Sequence, residues 1–108
     1  MTGEEWADLR ASEEEAAENA LIAKYNWGLI PDRMRGGMVR WIHHHIPPGH
    51  FLQAVLKNDL IAAVARADDD NQRILSEYVK FLIRNDAIPS ACYGSASAFK
   101  AWEAKRVI

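Results

Sequence analysis

The 108-residue sequence predicts an all-α fold, a compact single-domain bundle of five to six short helices. Three observations predict it. Apolar residues recur at helical spacing in each long segment, which gathers them on one face. Residues that favour helix starts (Thr2, Ser12, Asp59, Asp68, Ser95) stand before those segments. Proline and glycine punctuate the junctions, as at Gly28, Pro31 and Pro47-Pro48-Gly49. With 49% hydrophobic residues the chain can build one real core, and its length suits one domain rather than two. Charge divides it into an acidic N-terminal helical extension, residues 1–28, and a helical core domain, residues 29–108.

Thr2 with Glu5, and Ser12 with Glu15, are capping-box patterns. The extension is therefore either one long helix or a turn followed by a helix over about residues 13–25. Ala16, Ala20 and Ala23 make a shallow stripe beside Leu21, Ile22 and Tyr25, so this helix packs weakly or is held for a partner. Trp6 and Leu9 are candidates to dock it. Asn26, Trp27 and Gly28 end the helix, because glycine takes the left-handed conformation that closes helices. Pro31 opens the next one, with Met34, Met38, Trp41, Ile42 and His45 at helical spacing. Gly36-Gly37 inside it costs about 1 kcal/mol per glycine relative to alanine. That predicts a bend, or another backbone close by.

Residues 46–71 are the most apolar stretch, and the rest of the chain is expected to pack on it. Phe51, Leu52, Val55 and Leu56 form the face of one helix, and Leu60, Ile61 and Val64 that of a second. The pair reads as an angled hairpin, with Ala62, Ala63, Ala65 and Ala67 as low-profile positions for a close neighbour. Asp68, Asp69 and Asp70 sit at the start of a third helix, where free amides favour carboxylates. No alternation of oxygen ligands ending in glutamate follows, which argues against calcium. Residues 71–84 read as the clearest single helix, with Ile74, Leu75, Tyr78, Val79 and Leu82 on its apolar face. A loop through Pro89 and Cys92 leads to a last helix carrying Phe99 and Trp102.

The net charge of −2 conceals an asymmetry. Residues 1–29 hold seven acidic and two basic residues, whereas residues 30–50 hold one acidic residue, three arginines and all four histidines. Such asymmetry steers partners or joins two parts of one fold. A single cysteine excludes an internal disulfide framework and fits a reducing compartment. No apolar run approaches the roughly 20 residues of a membrane span, and the acidic N-terminus is unlike a signal peptide. The expectation is a cytoplasmic protein of a bacterial cell.

No motif is specific enough to name a chemistry. His43, His44 and His45, with His50, invite a metal reading. Consecutive helical residues point about 100° apart, however, and neither HxxxH nor HExxH occurs. The simpler assignment has His45 facing the core and the others forming a polar helix end. Cys92, in PSACYGS, would be a nucleophile only beside a base, and is more simply a small buried hydrophobe. Gly94-Ser95 matches neither a phosphate loop nor a hydrolase elbow. Arg33, Arg35 and Arg40 with Trp41 would give a nucleic-acid-binding face on helix 31–45, phosphate on arginine and base on indole. Against it, the three arginines diverge on a straight helix and the chain is not basic overall. The competing assignment pairs that face with the acidic N-terminal helix.

IPDRMRGG, IPPGHFLQAVLKNDL, ARADDDN and CYGSASAFKAW, taken in this order, resemble a family of small uncharacterised proteins of tailed phages and prophages. In that family a proline-arginine helix, a P-x-G-x-F-L-x-A-V-L-x-N-D-L segment, an A-R-A-D-x-x-N junction and a C-x-G-S loop precede a terminal helix. The similarity covers about residues 29–104. It implies a phage accessory protein made inside a bacterium, with no catalytic residues to carry over. The acidic extension and the triple histidine depart from the pattern.

The functional expectation is a non-catalytic protein that binds a macromolecular partner, a bacterial host protein, in host takeover or in inhibition of a defence system such as CRISPR. The partner-binding candidates are Glu14, Glu18, Arg33, Arg35, Arg40 and Trp41. No cofactor and no metal is expected. Nucleic-acid binding is the first alternative, and a metal- or thiol-dependent enzyme the second. Monomer and homodimer are equally expected, with Trp27 and Trp102 as the aromatics for self-association.

Overall fold

The computed structural model describes residues 2–106, and among them there is no strand. Seven α-helices follow one another: α1 (Gly3–Ile22), α2 (Asp32–His44), α3 (His50–Leu56), α4 (Leu60–Arg66), α5 (Asp69–Arg73), α6 (Leu75–Arg84) and α7 (Ala96–Glu103). A 3₁₀ turn, Ser90–Cys92, precedes the last. The architecture is the expected all-α single domain, with more and shorter pieces than the sequence suggested.

Trp41 of α2 is the hub of the core. Its side chain is fully buried, its ring stacks on Phe99 of α7 at 4.2 Å between centroids, and its indole N–H donates to the Cys92 carbonyl at 2.9 Å. Trp102 in turn donates its indole N–H to the Trp41 carbonyl at 2.8 Å. These bonds tie α2, the 3₁₀ turn and α7 into one unit, and both indole donors are satisfied in the dry interior. On the other side, Phe51 meets the ring of Tyr78 edge-on, and the Tyr78 hydroxyl donates to the buried Asn71 side chain at 2.6 Å. Burial pushes that hydroxyl up to about 12, so it remains a donor throughout the neutral range.

Residues 71–84 do not form one helix. The backbone leaves helical geometry at Ile74, which ends α5 and starts α6. Asp68 caps α5 by accepting from the Asn71 amide at 2.8 Å, and the Tyr78–Asn71 bond pins the two pieces across the break. Periodicity alone could not show this, because Asn71 looks like an exposed helix start and is in fact buried.

At the N-terminus the Thr2–Glu5 capping box forms in both directions, whereas Ser12 and Glu15 lie in the middle of α1. The one-long-helix alternative is thus the observed one, ending at Ile22. Trp27 is buried and stacks on Phe81 at 4.3 Å, and Tyr25 meets the same ring edge-on. The core therefore begins before residue 29, and the expected boundary at residue 28 cuts through it. Trp102 is buried like Trp27, so neither aromatic is available for self-association.

In the hairpin of α3 and α4, α3 buries its expected face, whereas α4 is inverted relative to expectation. Leu60, Ile61 and Val64 face solvent, Ile61 at 85% exposure, and only Ala63 of α4 is buried. Small residues let α4 lie close to α3, which leaves its large aliphatics outward. Gly36 and Gly37 sit inside a continuous α2. A methyl on Gly36 would stand 3.0 Å from the Arg40 guanidinium and 3.1 Å from the Glu18 carboxylate; one on Gly37 would touch Leu52 and Pro48 at 3.7 Å. Gly36 makes room for side chains, not for a second backbone, and Gly37 has space for a methyl.

Candidate functional site

α1 is the one long element that the core does not absorb. None of its residues is buried, and residues 2–17 are all exposed. A 20-residue helix is about 30 Å long, a large part of the molecule's 51 Å maximum extent. The radius of gyration, 15.2 Å, exceeds the roughly 13 Å of a compact chain this size, as a projecting helix requires. Contact with the body is confined to its C-terminal turns. There Leu21 and Ile22 pack partly against the core, the Trp27 indole donates to the Ile22 carbonyl at 2.7 Å, and Glu18 pairs with Arg40 of α2.

Where α1 leaves the body, two grooves flank that ion pair. One, of about 440 Å³, lies between α1 and α2 and is lined by Glu14, Ala17, Leu21, Val39 and His44. The other, of about 320 Å³, is floored by Met34, Gly37, Pro48 and Leu52, with Arg33 at its rim. Arg40 and Ile46 belong to both. The Glu18–Arg40 pair is half-exposed, which limits such a contact to about 0–1 kcal/mol. α1 is lightly held.

The structure sorts the sequence candidates sharply. Glu14, Glu18 and Arg40 come together at the mouth of the α1–α2 groove. Arg33 pairs with Asp68 at 3.0 Å, and Asp68 is held below the usual carboxylate range by the Asn71 amide and then by this guanidinium. Arg35 donates to the Ile30 carbonyl at 2.9 Å, pairs with Asp32 and lies over the Trp27 ring. Trp41 is fully buried and cannot stack on a base or touch a partner. The basic, aromatic face postulated for nucleic acid is thus not presented: its indole holds the core, and each of its three guanidiniums has a carboxylate. The assignment that paired this helix with the acidic extension is realised in Glu18–Arg40.

Trp6 and Leu9, the expected docking residues of α1, do not dock. Instead they stand free on α1, 57% and 44% exposed. The signal was visible in the sequence: Glu13 occupies the next position on their face, so no apolar stripe continues from them to the core.

The histidines separate. The Tyr25 hydroxyl and His43 Nε2 share a hydrogen bond of 2.7 Å, and burial, then Lys24 and His44, hold this imidazole below its ordinary pKa. His44 lines the groove, and His45 adopts a left-handed conformation that closes α2 with its ring 4.5 Å from Trp102. Among the described residues, no group of three or more His, Cys, Asp or Glu side chains is placed to hold a metal ion. Cys92 is fully buried, and burial pushes its thiol up to about 11, the reverse of what a nucleophile needs. No described helix is long and apolar enough to cross a membrane.

No family model, curated protein or solved structure matches the chain. The chemistry of α1 and the grooves at its base carries the functional reading.

Proposed function

We propose that the protein is a non-catalytic, phage-type accessory protein that captures a macromolecular partner, a bacterial host protein, with α1. The observation that carries this reading is that a 20-residue helix contributes no buried residue to its own fold. Most helices in proteins owe their stability to a packed apolar face, which this one largely lacks; it is kept by a full capping box and a short docked end. Residues 3–17 carry six carboxylates against the single cation Arg10, with Trp6 and Leu9 projecting among them. That combination suits a basic groove with an apolar slot, entered by a helix with an aromatic anchor. The carboxylates speed and orient the encounter, and the Trp6 ring supplies the desolvated contact.

The phage context rests on the family resemblance of residues 29–104, and it puts the partner in the cytoplasm of a bacterial host. Host takeover and inhibition of a defence system such as CRISPR both need a protein of this kind, one that occupies a functional basic surface. Tagged full-length protein and a Trp6→Ala/Leu9→Ala variant, each incubated with bacterial lysate and with the same lysate after nuclease treatment, test the reading. The expected result is one discrete protein retained by the parent and lost by the variant. Equal retention by both, or only nuclease-sensitive material, would refute capture by α1.

A further inference from the structure

A second surface, away from α1, has its own unmet requirement. Of the three large aliphatics on α4, none is buried; the helix turns Ala63 inward and Leu60, Ile61 and Val64 outward. On α6, Val79 and Ile83 are also exposed, Ile83 at 70%, and they lie one turn apart beyond the half-buried Leu75. The two helices meet at a shallow cleft lined by Leu60, Leu75 and Val79; Val64 stands one turn from Leu60 and Ile61, and Ile83 one turn from Val79, so the five exposed side chains run on from the cleft along the two helices. Together they show on the order of 500 Å² of apolar surface, near the upper end of what a monomer leaves open. None of the five carries a charge, and the cleft between them has a single carboxylate, Asp59, which is occupied in capping α4.

We propose that this face is a homodimer interface, in which the α4–α6 patch of one copy covers the same patch of a second copy about a two-fold axis. The argument for this occupant is chemical match and area. An uncharged aliphatic face gives nothing to a phosphate backbone or to a charged peptide, and its best complement is another uncharged aliphatic face. An isologous pairing supplies one by construction. Two such patches together remove about 1,000 Å² of apolar surface, and a polar rim brings the total into the 1,200–2,000 Å² range of specific interfaces. The cleft holds only about 50 Å³, which fits self-pairing of helical ridges better than capture of a protruding side chain. This surface is separate from α1, so dimerisation leaves the acidic helix of each copy free and doubles its valency toward a partner.

Sedimentation velocity on the full chain over about 1–200 μM, the range in which an interface at the small end of the specific class associates, tests the proposal. The parent is expected to move from a 12.2 kDa species to one of twice that mass. Ile61→Asp, and independently Val79→Lys, should each weaken association by at least about tenfold, the loss expected for a central interface side chain. Both sites are solvent-exposed, so the variants should keep the parent's circular dichroism and melting temperature, which separates lost pairing from lost folding. Deletion of residues 2–13 should leave the dimer intact. A parent that stays monomeric throughout, a dimer indifferent to both substitutions, or one abolished by the deletion would overturn the assignment.

Discussion

Two N-terminal deletions discriminate a projecting recognition helix from a structural one. Removing residues 2–13 takes away only exposed side chains and leaves Glu18, Leu21 and Ile22 in place. Surface changes of this sort move stability by no more than about 0.5 kcal/mol, so the urea midpoint should stay close to the parent's. Removing residues 2–25 is different. It strips partly buried Leu21 and Ile22, each contributing about 1 kcal/mol at half burial. It also removes Tyr25 with its bond to His43 and its edge contacts to Trp27 and Phe81, and the Ile22 carbonyl that accepts from the Trp27 indole. Orphaning that buried N–H adds roughly 1–3 kcal/mol. The longer deletion should therefore cost about 3–5 kcal/mol out of a typical 5–15. Urea unfolding followed by the fluorescence of Trp27, Trp41 and Trp102 measures both. A loss above about 2 kcal/mol in the shorter deletion would mean that α1 packs along its length. A longer deletion as stable as the parent would mean that its last turn is not docked; either result refutes the partition.

Further outcomes follow from single positions. Gly37→Ala should stabilise by about 1 kcal/mol, from helix propensity with the new methyl in ordinary contact with Leu52 and Pro48, and raise Tm by about 4 °C or more. Gly28→Ala should destabilise by about 1–2 kcal/mol, because Gly28 has φ +58° and the new carbon would lie 2.6 Å from the Arg84 guanidinium. Tyr78→Phe should cost about 1–3 kcal/mol in urea unfolding by leaving the buried Asn71 side chain without its donor. Stability should also fall as pH drops below about 6.5. There the unfolded His43 takes up a proton before the folded one, whose pKa is lowered, so the unfolded state binds more protons and stability rises with pH. Thermal melts from pH 5 to 8 should show that slope, and His43→Gln should flatten it.

Much of the fold was legible because its signals were local. The Thr2 box, Asp59, Asp68 and Ser95 all cap the helices they were expected to cap, each accepting from an amide three residues on. The apolar pattern located much of the core as well, since Met38, Trp41, Ile42, Phe51, Leu52, Leu56, Phe99 and Trp102 are all buried, although its hub is Trp41 rather than the 46–71 stretch. What local spacing could not supply was which side of a helix faces in. In α4 the choice between burying leucine and isoleucine or burying alanine depends on how near α3 lies, a distance that no periodicity encodes. The break at Ile74 depends likewise on a partner for Asn71, and that partner is seven residues away and on another helix.

The basic aromatic face was illegible for a related physical reason. A guanidinium in a sequence looks free, since its carboxylate partner can stand at any separation; here Arg33 and Asp68 are 35 residues apart and Arg40 and Glu18 are 22 apart. Three arginines clustered within eight positions suggested an electrostatic surface, and long-range pairing turned them into clasps between elements. The same pairing has a consequence for α1. It satisfies the one carboxylate nearest the body and leaves Glu13, Glu14 and Glu15, and beyond them Asp8, without a counter-charge from the core among the described residues. A helix that needed these carboxylates for its own stability would have drawn cations to i+4 positions, as α-helical ion pairs prefer. Only Arg10 stands on that part of α1, so the charge is better explained by what the helix meets than by what it holds together.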